Sequence, residues 1–331
     1  MKKFELTSEF ITNVFGVKLF RIRALVEFGI VSKGEFGGYV EKEENLDHYG
    51  DAWVFGNAQV SGDARVFGNA QVFGDAQVSG DAWVFGNARV YGDARVSGDA
   101  RVSGDAQVSG DARVYGDAWV FGNARVFGNA QVYGDAWVFG NAQVSGDARV
   151  SGDARVYGDA RVYGDAWVFG NAQVFGNAQV SGDAWVFGNA QVYGDARVSG
   201  DARVSGDARV YGNARVSGDT RVYGNARVFG DAWVFGNAQV YGDARVYGNA
   251  QVSGDARVSC DADYATVKGF GRYYRSTTFF RCKDGKVRVA CGCFFGDMEE
   301  FRAIVKKTHG DGKIAIEYLM IADLMEMHFK V

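Results

Sequence analysis

The sequence predicts a mainly β protein built as a triangular parallel β-helix, and three observations lead to this fold class. Residues 49–264 repeat one six-residue unit thirty-six times without an insertion. Each unit reads aromatic or Ser, Gly, Asp or Asn, Ala, a variable residue and Val. The chain has no proline that would interrupt a strand ladder. A short fixed period is typical of solenoids, and three sides per turn give about twelve coils.

The order of residues within the unit explains how each side forms. Ala and Val stand two positions apart, so in a strand they point to one face while the variable residue points to the other. Gly and Asp or Asn tolerate positive φ and therefore make the corner. We expect strands of about three residues with Ala and Val inside. The repeat departs from its pattern at Thr220, Cys260 and Tyr264.

The segments outside the repeat are predicted to cover its ends. A single coil cannot offset its own loss of conformational entropy, and the outermost coils of a stack leave open strand edges. We therefore expect an N-terminal β-rich cap over residues 1–48, with strands on either side of a turn at residues 14–16. Residues 265–331 are expected to form a small C-terminal α+β domain that caps the other end and contacts partners.

Local signals define the elements of this C-terminal domain. Asp284 and Gly285 predict the turn of a β-hairpin over residues 276–289. A helix is expected from Met298 to about His309, with Asp297 as its N-cap. A second helix over residues 314–328 should cover the domain's sheet or the last coil. Its expected apolar face is Ile316, Leu319, Met320, Ala322, Leu324 and Met325.

Composition and charge restrict the classes of function. There is no apolar run long enough for a transmembrane helix, and the N-terminus lacks the apolar core of a signal peptide. Four cysteines are too few for a disulfide framework, so we expect a cytoplasmic location. The repeat carries 17 Arg against 24 Asp, which makes it a poor nucleic-acid binder.

The C-terminal segment is the one electrostatic candidate for binding nucleic acid. Residues 265–331 hold 12 basic against 8 acidic side chains, and a basic surface is what nucleic-acid binding requires. The same cations are candidates for contacting a protein partner. The predicted partner-binding residues of this tail are Arg272, Arg275, Arg281, Lys283, Lys286 and Arg288.

Motifs at both ends carry a family resemblance. Residues 21–25 read Arg-Ile-Arg-Ala-Leu, residues 37–46 read Gly-Gly-Tyr-Val-Glu-Lys-Glu-Glu-Asn-Leu, and the tail contains Cys-Gly-Cys-Phe-Phe-Gly at 291–296. With its GDA and GNA hexapeptides, the chain resembles a group of uncharacterised phage and prophage hexapeptide-repeat proteins. These are similar to bacterial hexapeptide proteins of the acyltransferase type. The resemblance implies a left-handed helix, whereas general crossover rules would favour a right-handed one.

The resemblance raises an enzymatic alternative. Hexapeptide acyltransferases use a catalytic His at the coil surface, usually beside an excursion loop. The repeat contains no His and no loop, so His48 and His309 are the candidates. A carbonic anhydrase of this fold would need three His on adjacent coils to hold zinc. We predict no catalytic residue and no cofactor.

Two sets of residues are weak metal candidates. Cys282, Cys291, Cys293 and His309 do not follow a standard zinc spacing, and Cys-x-Cys in a strand often faces the core. Cys293 and His309 also lack an obvious acid for nucleophilic catalysis.

The second set is a column of aspartates on one corner of the prism. Their carboxylates would form weak calcium sites, or their negative charge would be balanced by Arg65, Arg101 and Arg155. Its members are Asp63, Asp81, Asp99, Asp117, Asp135 and Asp153.

One edge of the prism is predicted to carry an almost unbroken aromatic column. Sorted by side, the first position is aromatic in 11 of 12 units on this edge, against 6 of 12 on each of the others. Stacked rings stabilise neighbouring strands, but so long an apolar edge also favours burial in a homo-oligomer. The predicted interface residues are Tyr49, Phe67, Phe85, Phe121, Phe139, Tyr157, Phe175, Tyr193, Tyr211, Phe229 and Tyr247.

All seven Trp occupy the outward variable position. Exposed pairs such as 119 and 137 would bind sugars or bases by stacking, although stabilisation of the ladder is the simpler interpretation.

We therefore predict a non-catalytic scaffold or binding protein of phage or prophage origin. Its rod presents repeated surface and its terminal domains contact a macromolecular partner, such as a host defence factor that it inhibits. The alternatives are a hexapeptide acyltransferase-like enzyme and a structural component of a virion or filament.

Overall fold

A computed structural model describes residues 2–330 of the chain. The chain divides into two compact units, Met1–Asn177 and Ala178–Val331, which are described separately below. Both units contain coils of the hexapeptide repeat. The predicted fold class is confirmed, because the repeat forms a parallel β-solenoid of about 12 turns with a small C-terminal region of helices and sheet.

The first unit begins with three strands that precede the coils. The first two strands pair antiparallel across a turn at residues 13–17, as the sequence predicts. The third pairs antiparallel with the second and parallel with a repeat strand, joining Tyr39 to Gln59 and Val40 to Val60. The segment therefore continues one sheet of the solenoid. Its elements are β1 (Phe4–Thr12), β2 (Lys18–Ala24), β3 (Phe36–Val40) and a 3-10 turn (Glu43–Asn45).

The repeat strands are two residues long and recur every six residues. In the first unit they run from β4 (Trp53–Val54) to β24 (Gln173–Val174), and in the second from β25 (Gln179–Val180) to β38 (Arg257–Val258). Within each unit, repeat strands pair in parallel with the strand 18 residues further on, as Arg65 does with Trp83. Three sides per turn place residues 18 apart in register, so identical positions of the unit form ladders.

The corner of each side depends on glycine. The corner glycines of the coils have φ between +59° and +73°, a region that disfavours residues with a Cβ. The corners also stack closely: a Cβ on Gly116 would lie 3.0 Å from the backbone nitrogen of Gly134. Glycine is thus required both for the turn and for the approach of the next coil.

The interior of the coils contains only the inward-facing positions of the unit. Every Ala and Val from residue 52 to residue 258 is fully buried. Thr220, which replaces one inward Ala, is also buried, and its hydroxyl donates a hydrogen bond to the carbonyl of Ser217. The one polar group in this column is therefore satisfied, as a buried hydroxyl must be.

Asparagine at the corners links successive coils. The Nδ2 of Asn87 donates to Oδ1 of Asp105 over 3.0 Å, and Asn141 donates to Asp159 over 2.9 Å. In the second unit Asn213 donates in the same way to Asp231 over 2.9 Å. An amide next to a carboxylate replaces repulsion between two stacked carboxylates with a hydrogen bond, so an Asn stacked on an Asp stabilises the corner at that point.

The N-terminal segment covers one face of the first coil. Trp53 is fully buried because the rings of Phe4 and Phe28 lie 6.2 Å and 5.3 Å from it. The prediction that all Trp side chains face solvent is therefore wrong for this residue. Lys3 is buried beside it and donates to the carbonyl oxygen of Ala52 over 2.8 Å. Burial lowers the pKa of the Lys3 ammonium to about 8.

The last sequence unit, residues 259–264, does not form a solenoid side. Cys260 replaces the corner glycine and adopts an extended conformation with φ −149°, and a 3-10 turn (Asp261–Asp263) follows. The Asp263 carboxylate accepts hydrogen bonds from the backbone and hydroxyl of Ser259 over 2.8 and 2.6 Å. The chain then enters a separate sheet at Tyr264, so the regular coils end at Val258.

The C-terminal region consists of a four-stranded antiparallel sheet and two helices. The predicted hairpin and first helix are confirmed, including the Asp297 cap, whose side chain accepts from the backbone N–H of Glu300 over 2.9 Å. The sheet meets the last coil, where the backbone N–H of Lys283 donates to the carbonyl of Asp255 over 3.0 Å. The elements are β39 (Tyr264–Phe270), β40 (Arg275–Arg281), β41 (Val287–Cys291), β42 (Phe294–Asp297), α1 (Met298–His309) and α2 (Lys313–Phe329).

The second helix packs through a different face from the predicted one. Ile316, Met320 and Leu324 are exposed, with exposed fractions of 53–66 %, whereas Ala322 and Met325 are buried as expected. The helix is apolar on several sides, so a list of apolar positions could not identify the packed side. The residues of this helix that are buried in the region's core are Ala315, Tyr318, Ile321, Ala322, Met325 and Phe329. Among residues 2–330, no helix has both the length and the apolar character needed to cross a membrane.

The corner geometry yields a test of the two glycine requirements. Gly116→Ala should destabilise the protein more than Gly56→Ala, since both have positive φ but a Cβ on Gly56 would meet only one atom, at 3.8 Å. Strain at positive φ alone costs roughly 1–2 kcal/mol, and the clash adds to it at Gly116. Thermal unfolding followed by circular dichroism would measure both. Equal midpoints for the two variants would show that φ alone matters.

Candidate interaction surfaces

The predicted aromatic edge is a stack of parallel rings. In the first unit Phe121, Phe139, Tyr157 and Phe175 lie one above another, with ring centroids 4.8–4.9 Å apart and interplanar angles of 0–3°. These rings are half-buried, because each covers the faces of its neighbours. Contacts between the rings thus account for part of their burial, and their edges still face solvent.

The same arrangement recurs at the other end of the column. In the second unit Tyr193, Tyr211 and Phe229 stack at 4.9 Å, and Tyr247 follows at 5.3 Å. Tyr247 is 52 % exposed. At the start of the repeat, Tyr49 is also exposed. Tyr49 and Tyr247 are therefore more exposed than the half-buried stacked rings of their own units.

Next to this edge, tryptophan and arginine form a second ladder in the first unit. Arg101 lies between Trp83 and Trp119, with its guanidinium 5.2 and 4.8 Å from the two rings. Trp119 stacks on Trp137 at 5.3 Å, and Arg155 lies 5.2 Å from the ring of Trp137. Cation–π contacts of this kind contribute about 0.5–1 kcal/mol at exposed sites. Arg101 and Arg155 therefore contact rings, whereas the sequence suggested that they balance corner carboxylates.

A groove of about 580 Å³ lies where the N-terminal segment meets this ladder. It combines acidic side chains of the segment with Arg65 and two aromatic rings of the coils. Its lining residues are Glu43, Glu44, Leu46, Asp47, His48, Arg65, Val66, Phe67 and Trp83.

His48 lies in this groove, but both of its ring nitrogens are engaged. Nδ1 accepts a hydrogen bond from the backbone N–H of Lys3 over 3.1 Å. Nε2 must then carry the ring proton, and it lies 2.6 Å from Oε1 of Glu43. The ring also stacks on Phe4 at 4.5 Å. An imidazole held in this way has no free lone pair with which to accept a proton from a substrate.

The predicted metal ligands are not brought together. Across residues 2–330 no group of three or more His, Cys, Asp or Glu side chains is placed to hold a metal ion, and this includes the corner Asp column. Cys282 and Cys291 lie at opposite ends of one hairpin, because Arg281 pairs with Val287 and Thr277 with Cys291. Four residues of strand separate them by roughly 13 Å.

The Cys-Gly-Cys motif at residues 291–293 forms a turn at the end of this hairpin. From the sequence, we considered it as part of a strand. Cys291 ends β41, and residues 292–293 connect it to β42. The thiol of Cys291 accepts a hydrogen bond from the Thr277 hydroxyl over 3.1 Å, whereas Cys293 is exposed. The two thiols thus do not share a strand face. His309 ends α1 and stacks on Tyr318 at 6.2 Å.

The six predicted cations of the tail separate into two groups. Arg281 donates to the carbonyl oxygen of Phe329 over 2.7 Å, and Arg288 forms an ion pair with Asp284 over 2.7 Å. These two side chains hold the region together. The other four are exposed: Arg272 and Arg275 lie at the turn between β39 and β40, and Lys283 and Lys286 lie at the turn between β40 and β41.

An additional surface lies on α2. Ile316, Met320, Leu324 and Met327 are 53–67 % exposed and fall on one side of the helix, since they are spaced by four, four and three residues. The sequence contains the signal, because apolar residues occur on several sides of the predicted helix. The signal does not reveal which side remains in solvent, so this surface was missed.

Comparison with known proteins agrees with the repeat architecture. A family model described as YdcK Beta solenoid repeat matches thirteen overlapping segments that together cover more than half of the chain. The matched residues are 58–74, 76–104, 106–170, 178–206, 208–236 and 238–252. The chain belongs to the YdcK β-solenoid repeat family. A search of curated proteins gives no significant match.

Self-association of this YdcK-family solenoid through its aromatic edge stays a prediction. We expect the protein to self-associate at micromolar concentration, and Phe121→Ser with Phe139→Ser to weaken that association. Ser occupies the same position of the unit in the other columns, so the coils should tolerate it. Sedimentation velocity would measure the assembly. Phe127→Ser, which removes a more exposed ring on another edge, is the control. A wild-type monomer at these concentrations contradicts the prediction.

The cysteines of this YdcK-family chain should differ in reactivity. Burial raises the pKa of the Cys282 thiol to about 11, while Cys260 and Cys293 are exposed. At pH 8 an aromatic disulfide reagent should label the exposed pair rapidly and leave Cys282 unlabelled until the protein unfolds. Mass spectrometry of quenched samples would identify the labelled sites, and Cys293→Ser should remove one fast equivalent. Rapid labelling of Cys282 in the folded protein would contradict its burial.

Proposed function

We propose that this protein is a non-catalytic scaffold that binds a second protein through the exposed apolar face of α2. The observation that carries the proposal is the presence of two apolar faces on one helix. One face packs against the sheet through residues such as Ala322 and Met325. The opposite face exposes Ile316, Met320, Leu324 and Met327. An exposed contiguous apolar face on a helix is typical of a protein-binding surface.

The chemistry of this face favours an apolar surface of another protein. Two of its four side chains are methionines, which adapt to partners of different shape. Its border is charged on one side, where Asp323 and Glu326 form ion pairs with Arg302 over 2.6 and 2.9 Å. An apolar centre with a polar rim is the usual anatomy of a protein interface.

A second copy of the same helix fits this face less well. Two copies packed antiparallel with Ile316 against Met327 would place Lys313 opposite Lys330 and Glu317 opposite Glu326. Both pairs carry like charges, which oppose the association. The charges at the ends of the helix thus support a different protein as the partner.

The solenoid supports the role of scaffold. Its coils repeat one unit with few changes, so they offer a regular support rather than one distinct site. The engaged nitrogens of His48 count against the acyltransferase alternative at that residue. The parts of the chain whose sequence does not repeat are the segments outside the coils. We therefore assign the recognition of a partner to these segments.

The resemblance of the end motifs to phage and prophage proteins extends the proposal. A phage protein of this kind would act in the bacterial cytoplasm, and its partner would be a host protein. A non-catalytic phage protein could act by binding a host defence factor and inhibiting it.

The α2 face can be tested with the full-length protein. Met320→Gln with Leu324→Gln should leave folding within about 0.5 kcal/mol of wild type, since both side chains are exposed. The same double change should weaken partner binding at least tenfold, because central apolar contacts dominate interface energies. Affinity capture from bacterial cells, with quantitative mass spectrometry, would compare wild type with the variant. Purified candidates would then be titrated by calorimetry.

The matched control removes exposed apolar surface elsewhere. Val14→Gln with Phe15→Gln changes the N-terminal turn, where both side chains are exposed, and should retain the partner. Support requires a partner that is lost with the α2 variant, kept with the control, and seen to protect α2 from hydrogen exchange. A partner retained by both variants would contradict the assignment to α2, and cross-linking of α2 to itself would identify a second copy instead.

A further inference from the structure

We propose that the turn between β39 and β40 is a binding site for single-stranded nucleic acid, in which a tyrosine stacks on a base and two arginines contact phosphates. The turn comprises residues 271–274 and projects from the sheet of the C-terminal region. Its side chains combine exposed rings with cations, which is the combination that sequence-tolerant recognition of unpaired strands requires.

The rings of the turn are available for stacking. Tyr273 and Tyr274 are 66 % and 70 % exposed, and Phe270 beside them is 38 % exposed. No other turn of the described C-terminal region carries two tyrosines this open to solvent. An unpaired base offers a flat face to such a ring, whereas the bases within a duplex are already stacked.

Two arginines flank the central ring. The guanidinium of Arg275 lies 5.0 Å from the ring centre of Tyr273, and that of Arg272 lies 5.6 Å from it. Within residues 2–330 neither arginine forms an ion pair with an acidic side chain. Their charge is therefore not neutralised by a carboxylate within the region, and both cations lie over the ring of Tyr273.

The backbone of the turn holds Tyr274 in a strained conformation. Tyr274 has φ +51° and is the one non-glycine residue with positive φ among the described residues. Glycine or asparagine would adopt this conformation at lower cost. Strained residues concentrate at functional sites, so the presence of a tyrosine here favours a role for its ring.

The start of the turn packs against Tyr318 of α2. A Cβ on Gly271 would clash with the hydroxyl of Tyr318, and that hydroxyl donates to the carbonyl oxygen of Phe270 over 3.4 Å. Tyr318 also stacks on His309, which ends α1. The last turn of α1 carries Lys306 and Lys307 in addition. Tyr318 thus connects the start of the turn with the end of α1, which carries further cations.

Among other partners, a lipid surface fits less well. The turn places a cation on each side of its central ring and carries no aliphatic side chain, whereas insertion into lipid favours Trp, Phe and Leu with the cations on the opposite face. Double-stranded DNA offers phosphates but no free base face. The chemistry therefore favours a single strand.

Fluorescence anisotropy of the full-length protein with labelled dT20 and rU20 would test the proposal. We expect dissociation constants of about 1–100 µM at low salt. Tyr273→Ala should weaken binding about tenfold, and Tyr273→Phe should restore it because the ring is kept. Arg272→Gln with Arg275→Gln should reduce the slope of log affinity against log salt by about 1.4, the value for two phosphate contacts on a single strand.

The controls match these changes elsewhere in the protein. Lys283→Gln with Lys286→Gln removes two charges from the neighbouring turn, and Tyr49→Ala removes an equally exposed ring from the N-terminal end of the repeat. Both should bind like wild type. Tyr274→Asn should weaken binding without lowering the melting temperature, because Asn tolerates the backbone conformation. A lowered melting temperature would indicate a packing role for this ring.

Three results would overturn the proposal. The first is the absence of binding to either oligonucleotide up to 100 µM, roughly the weak limit of nonspecific association. The second is equal loss of affinity in the lysine control and the arginine variant. The third is binding to vesicles of phosphatidylcholine and phosphatidylserine with the same dependence on Tyr273, which would assign the turn to a membrane surface. These outcomes do not depend on the α2 face.

Discussion

The coils of this protein depend on the close approach of successive corners. Glycine at each corner adopts positive φ, and the backbone of the next coil lies where a side chain would otherwise be, as Gly134 does beside Gly116. This contact repeats every 18 residues, so an insertion in any coil would break the register of its neighbours. The strict period of the sequence follows from this backbone contact, together with the Ala and Val that fill the interior.

The same constraint separates the positions of the unit by role. Gly, Ala and Val are fixed by geometry, whereas the corner Asp or Asn, the variable residue and the first residue form ladders on the outside. Neighbours in a ladder must be compatible at close range. At several corners an amide donates to a carboxylate, arginines lie over tryptophans, and rings stack in parallel. The outer surface of the solenoid is thus specified by pairs of residues in register and not by single residues.

Side-chain arrangements that occur once, rather than in every coil, lie in the N-terminal segment and the C-terminal region. The N-terminal segment buries Trp53 and engages both nitrogens of His48. The C-terminal region closes its own core and leaves an apolar face of α2 and a turn with two tyrosines in solvent. A solenoid whose units are nearly alike offers little to distinguish one partner from another. The proposed recognition sites therefore lie where the sequence is unique.

The sequence by itself determined the elements whose signals are local. The period of six, the Asp-Gly turn, and the helix from Met298 to His309 depend on neighbours a few residues apart, and all were predicted correctly. Only the tertiary structure decided which surfaces remain open. Trp53 is buried because a distant strand covers it, and residues 259–264 leave the coil for another sheet. The α2 helix buries one of two apolar faces. Burial depends on contacts between residues far apart in sequence, and no local pattern records those contacts.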